Sequence, residues 1–127
     1  MKMLLAIALG GAVGSVLRYL AITWVGQGLG AAFPYGTLAV NIVGSVVMGV
    51  LVQLSALVWS PGAELRAFLT VGVLGGFTTF SSFSLDVALL AQRGEVASAT
   101  IYVVLSVLLS VGGLFAGMWA TRVLVAG

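Results

Sequence analysis

Cysteine and histidine are both absent from this chain. That excludes disulfides, the commonest transition-metal ligands and imidazole acid–base chemistry together. Charge is nearly as scarce: of 127 residues, 6% are charged and 61% are hydrophobic. No soluble domain of this size covers its surface with so few charges, so the chain reads as an integral membrane protein. The net charge of +2 is too small and too scattered for a nucleic-acid partner. There are three carboxylates in all. With no Walker motif, metal-ligand cluster or nucleophile–base set beside them, an enzyme or a proton-coupled carrier has nothing to work with.

What is present is apolar length. A spanning helix needs about 20 apolar residues, and the chain accommodates four with no room for a soluble domain. The predicted spans are 3–25, 36–59, 66–92 and 96–124. The loop from Gly26 to Tyr35 is punctuated by Gly26, Gly28, Gly30 and Pro34. Ser60-Pro61-Gly62-Ala63-Glu64 reads as a turn into a helix, and Arg93-Gly94-Glu95 as a minimal turn. A secretory signal beginning at Lys2 is the weaker reading of the start, because the apolar run that follows is too long. Small residues at Gly10/Gly14, at Gly44, Ser45 and Gly49, and at Gly113/Gly117 supply surfaces on which membrane helices approach closely.

The third span is the irregular one. It contains Gly75-Gly76-Phe77-Thr78-Thr79-Phe80-Ser81-Ser82-Phe83-Ser84. Paired glycines weaken a helix, and the hydroxyls that follow compete for its backbone hydrogen bonds. A break is therefore expected near 75–79. Irregular backbone at membrane depth is tolerated only where protein or a watery path surrounds it, so this stretch is a candidate ion or substrate site. Phe80 and Phe83, three apart, share a face of the helix after the break.

Other polar residues leave alternatives open. Arg18 lies within the first apolar run and either snorkels to the interface or faces a wet cavity. Asn41 is either glue between helices or a pore-facing amide. Asp86 reads as a solvated or snorkelling carboxylate near the membrane surface. Tyr102, Ser106 and Ser110 recur every four residues and so form one hydroxyl stripe on the last helix. The bland account, in which each membrane serine bonds its own i−4 carbonyl, explains one serine better than three aligned hydroxyls.

Three stretches together resemble the Fluc family of fluoride channels, also called CrcB-type proteins, over essentially the whole chain. They are Gly10-Gly11-Ala12-Val13-Gly14-Ser15-Val16-Leu17-Arg18-Tyr19, Pro34-Tyr35-Gly36-Thr37-Leu38-Ala39-Val40-Asn41, and Gly75 to Ser84. Ser82 departs from the family's usual threonine and keeps the hydroxyl. The resemblance implies an all-α membrane protein of four transmembrane helices with the third broken at mid-membrane. It implies an antiparallel, dual-topology homodimer in the bacterial inner membrane that exports fluoride passively through two pores. By motif position, Phe80, Phe83, Asn41, Tyr102, Ser106 and Ser110 match the pore, and Arg18 matches an arginine with a vestibule or structural role. Gly75 and Thr78 match the backbone carbonyls of a structural sodium ion at the dimer interface.

Chemistry agrees with that expectation. Fluoride is strongly hydrated, and hydroxyls and an amide N–H₂ can replace water as donors. Phenyl edges carry the positive part of the ring quadrupole. The competing readings are a small dual-topology multidrug exporter, which lacks its mid-depth carboxylate here, and a non-transporting membrane subunit, which has no use for the stripe or the break. Charge bears on orientation as well. Lys2, Arg66 and Arg122 fall on one side of four spans, against Arg93 and an outward-reaching Arg18 on the other. Three against two is little bias for insertion.

Overall fold

Four helical spans long and apolar enough to cross a membrane account for nearly all of the computed structural model, which describes residues 1–127. Helix α1 covers Lys2–Leu29 and α2 covers Tyr35–Leu57. The third span, Ala63–Gln92, is composite. It begins as α3 (Ala63–Ala67), widens into a π-helical segment (Phe68–Leu74), tightens into the short α4 (Gly75–Phe77) and resumes as α5 (Phe80–Gln92). Helix α6 covers Val96–Ala126.

In hydrocarbon, close contact rather than water exclusion holds helices together. Glycines make that contact possible along two seams. In the first, α1 lies on the third span: a Cβ at Gly72 would stand 2.7 Å from the Gly10 Cα, and Gly14 meets the Val73 backbone. In the second, α2 lies on α6: Gly49 meets the Leu114 carbonyl, while Gly117 meets the backbone of Val46 and Val50. Helix α5 then leans on α6 through Phe83, Leu90, Ala99 and Tyr102, the buried apolar cluster of the chain. At one end of the bundle, Arg93 donates to the Ala32 carbonyl at 3.1 Å and pairs with Glu95 at 3.0 Å, tying the α1–α2 loop to the α5–α6 turn.

The interruption has a local cause, and it is not the glycine pair. Gly75 and Gly76 are helical; regular structure stops at Thr78 and Thr79, both extended, with ψ 157 and 115. The Thr78 hydroxyl and amide both donate to the Leu74 carbonyl, at 2.9 and 3.0 Å, closing the helix behind them. The Thr79 hydroxyl accepts from the Ser82 amide at 3.1 Å and so caps the start of α5. The glycines serve close approach instead: a Cβ at Gly76 would lie 2.8 Å from the Gly11 carbonyl oxygen.

Candidate functional site

The two extended threonines leave backbone groups that neighbouring helices must take up. Asn41 on α2 takes two of them. Its Oδ1 accepts from the Thr79 amide at 2.7 Å, and its Nδ2 donates to the Thr79 carbonyl at 3.1 Å. Of the two roles open to Asn41, the structure shows the interhelical one. It also leaves one amide hydrogen facing the adjoining space, because an N–H₂ group carries two donors. Gly44, one turn further along α2, receives the Thr78 methyl group.

Beside this clasp is a cavity of about 320 Å³. Asn41, Ser45, Thr79, Phe80, Phe83, Ser106 and Ser110 line it, and none of the three carboxylates does. It is open to one side. Phe83 is 9% exposed, but Phe80 is 77% exposed and stands off the chain, its ring centroid 5.3 Å from that of Phe83.

Several hydroxyls of this chain bond their own helix. Those of Thr70, Thr78, Ser84, Thr100 and Thr121 each donate to the carbonyl four residues back, at 2.7 to 2.9 Å. The Oγ atoms of Ser106 and Ser110 do not. Both are buried and have no hydrogen-bond partner in the chain. An unpaired buried hydroxyl is costly, so two in line on a cavity wall point to a polar occupant.

Tyr102, the third member of the stripe, is not on that wall. It is fully buried, packs on Phe83 at 5.2 Å and donates its hydroxyl to Asp86 Oδ2 at 2.9 Å. Asp86, half-buried near the α1–α2 loop and Arg93, is thus engaged by α6 as well as placed at the end of the bundle. From Phe80 a line of aromatic rings continues through Phe83 and Tyr102 to Phe33, edge-on at 5.5 Å, and to Tyr35 at 4.9 Å. Phe33 and the Asp86–Tyr102 pair were missed by spacing alone, since each depends on two distant segments meeting.

Arg18, half-buried, engages the break through one nitrogen. Its Nε donates to the Gly76 carbonyl at 3.0 Å, 58 residues away. Gly75 and Thr78 line a second, smaller cavity with Gly44, Ser45 and Leu114, and Thr78 and Ser45 border the first cavity as well. Outside the regular helices, no bond in the chain ends on their carbonyl oxygens.

A model of the family described as CrcB-like protein, Camphor Resistance (CrcB), matches residues 5–118. A protein of Rhodospirillum centenum named fluoride-specific ion channel FluC is 61% identical over 126 residues, which are 99% of this chain and 100% of that one. A protein of the same name from Chelativorans sp. is 51% identical over 94% of this chain and 95% of its own length. A third, from Nitrobacter winogradskyi, is 51% identical over 95% of this chain and 96% of its own length.

Proposed function

The chain belongs to the CrcB-like protein family, and from that premise we propose that it is a fluoride-selective channel of the bacterial inner membrane. It carries fluoride out of the cytoplasm passively and so lowers its toxicity. The observation that carries this reading is the pair of buried, unpaired hydroxyls of Ser106 and Ser110 on a cavity wall that also bears Phe80, Phe83 and Asn41. Those hydroxyls and the remaining amide hydrogen of Asn41 donate to a small, strongly hydrated anion. The phenyl edges stabilise it weakly enough for release. No cation stands in the path to hold it. Tyr102 borders the path through Phe83, with its hydroxyl engaged by Asp86.

The working unit in this reading is an antiparallel homodimer with two pores. Supporting it, Gly75 and Phe80, which flank the break in sequence, are both exposed, and hydrocarbon cannot satisfy irregular backbone there. A second copy related by a two-fold axis covers the break with its own. The carbonyls of Gly75 and Thr78 from the two copies would hold a structural sodium ion. A donor set of neutral carbonyls suits a monovalent cation, whereas divalent cations usually draw on carboxylates; no cluster of acidic residues is present.

Purified protein reconstituted in liposomes is expected to release fluoride down its gradient, with chloride retained and no proton gradient required. Transport of an organic cation driven by protons, without a fluoride leak, would replace this reading with the exporter class.

A further inference from the structure

Gly76 is gripped by one face of α1. A Cβ there would stand 2.8 Å from the Gly11 carbonyl oxygen and 3.1 Å from the Ser15 amide nitrogen, and Arg18 donates to its carbonyl. Residues 11, 15 and 18 fall on one face of a helix, so the arginine is the last contact of a packing seam. Its partner is one of four carbonyls, at residues 75 to 78, whose usual donors four residues ahead the break displaces. The Thr79 amide goes to Asn41 and the Ser82 amide to the Thr79 hydroxyl. Of the four carbonyls, Gly76 alone gains a side-chain donor from another helix. The Gly75-Gly76 pair also rotates more freely than any other dipeptide. Both glycines are helical here, and an external donor adds a restraint that their own side chains cannot supply.

We propose that Arg18 is a positioning residue for the cation site. By drawing the Gly76 carbonyl toward α1, it leaves the Gly75 and Thr78 carbonyls, which take no bond outside the regular helices, for a cation to collect. This rests on the sodium assignment made above. The hydrogen bond from Nε performs the task, and the guanidinium charge opposes a neighbouring cation instead of assisting it. Charge and tether can be separated, because the amide nitrogen of glutamine lies the same number of bonds from Cα as Nε of arginine. Lysine keeps the charge but puts a methylene at that place.

The test compares wild type, Arg18→Gln and Arg18→Lys as full-length protein, using two readouts. One is the rise of the thermal unfolding midpoint on titration with sodium chloride against N-methylglucamine chloride, which reports ion binding through linkage. The other is fluoride efflux from liposomes over the same sodium range. Arg18→Gln is expected to keep the wild-type sodium midpoint or lower it, and to keep flux. Arg18→Lys is expected to raise the sodium midpoint about tenfold, the loss of one charge-assisted hydrogen bond, with flux recovering at high sodium. The reverse order, with Arg18→Lys ahead in both readouts, overturns the proposal in favour of anion attraction by charge. Wild-type behaviour in both variants overturns the tether. A wild type indifferent to sodium overturns the sodium assignment itself, an outcome distinct from failure of the tether, where the wild type responds and the variants do not separate.

Discussion

The Oγ atoms of Ser106 and Ser110 are buried without a hydrogen-bond partner, unlike the hydroxyls that bond the carbonyl four residues back, and that difference sets the expectation for their removal. Ser110→Ala should lower fluoride flux by about tenfold, the worth of one hydrogen bond to an ion, and leave the fold intact. Ser98→Ala, at the water-accessible start of α6, should change flux little. Equal effects in the efflux assay would return the stripe to a structural role. The aromatic pair is tested in the same way. Phe80→Ile and Phe83→Ile keep bulk and remove the quadrupole, and at least one should lose most flux; normal flux in both would take ring edges out of the mechanism. Phe80 is the cleaner probe, because Phe83 also supports Tyr102. At this scale the sequence revealed which residues are polar in an apolar chain, and a four-residue spacing aligned the two serines. It could not reveal what the long side chains reach. Arg18, Asn41 and Asp86 are engaged by residues 58, 38 and 16 positions away, and a local pattern contains no information about those meetings.

The composite third span shows the same division one level up. Four apolar runs were legible because about 20 residues of hydrocarbon-compatible sequence is a strong signal. The π-helical segment Phe68–Leu74 was not, since nothing in Phe-Leu-Thr-Val-Gly-Val-Leu distinguishes i−5 from i−4 bonding. The stretch that breaks was legible from its hydroxyls, but the glycines beside them act in packing. Gly76→Ala should therefore destabilise the protein by about 1–3 kcal/mol through overpacking against α1, seen as a lowered thermal midpoint in detergent. An unchanged midpoint would mean that α1 yields at Gly11 and Ser15. Thr78→Val makes the opposite case. It removes a hydroxyl that only closes the preceding turn and keeps the methyl group that meets Gly44. It should cost about 1 kcal/mol and leave a main-chain sodium site able to bind. Loss of the sodium response in that variant, with the fold retained, would place a side-chain oxygen in the site; a calcium signature would overturn a monovalent ion.

Orientation is a property of the whole molecule, and the structure alters its arithmetic. With four spans, the termini and the α2–α3 turn share one side, which carries Lys2, Arg66 and Arg122. The other side holds the α1–α2 loop and the α5–α6 turn, joined by the Arg93 bond to Ala32. Arg18 belongs there only as an outward-reaching charge, and its Nε is tied to Gly76. With Arg18 left out, the count of Lys and Arg is three against one. Orientation follows that excess, so charge alone favours the termini inside, and the insertion in both senses that the antiparallel reading requires would rest on how few charges are involved. An asymmetric response follows. Two lysines added near the termini should fix one orientation, whereas the α1–α2 loop and α5–α6 turn need about three to invert it, since two added to one only balance the existing three. In the antiparallel reading each fixed variant alone should be inactive, because two breaks facing the same way cannot complete each other across a two-fold axis in the membrane plane. Co-expression of the two should restore fluoride efflux from cells. Full efflux from either variant expressed alone would mean that subunits pair in parallel or that one chain suffices. Loss of efflux from the loop-side variant alone at the two-lysine dose would mean that Arg18 still counts as an outer charge during insertion, before the third span arrives to claim it, since two added to two outweigh the existing three.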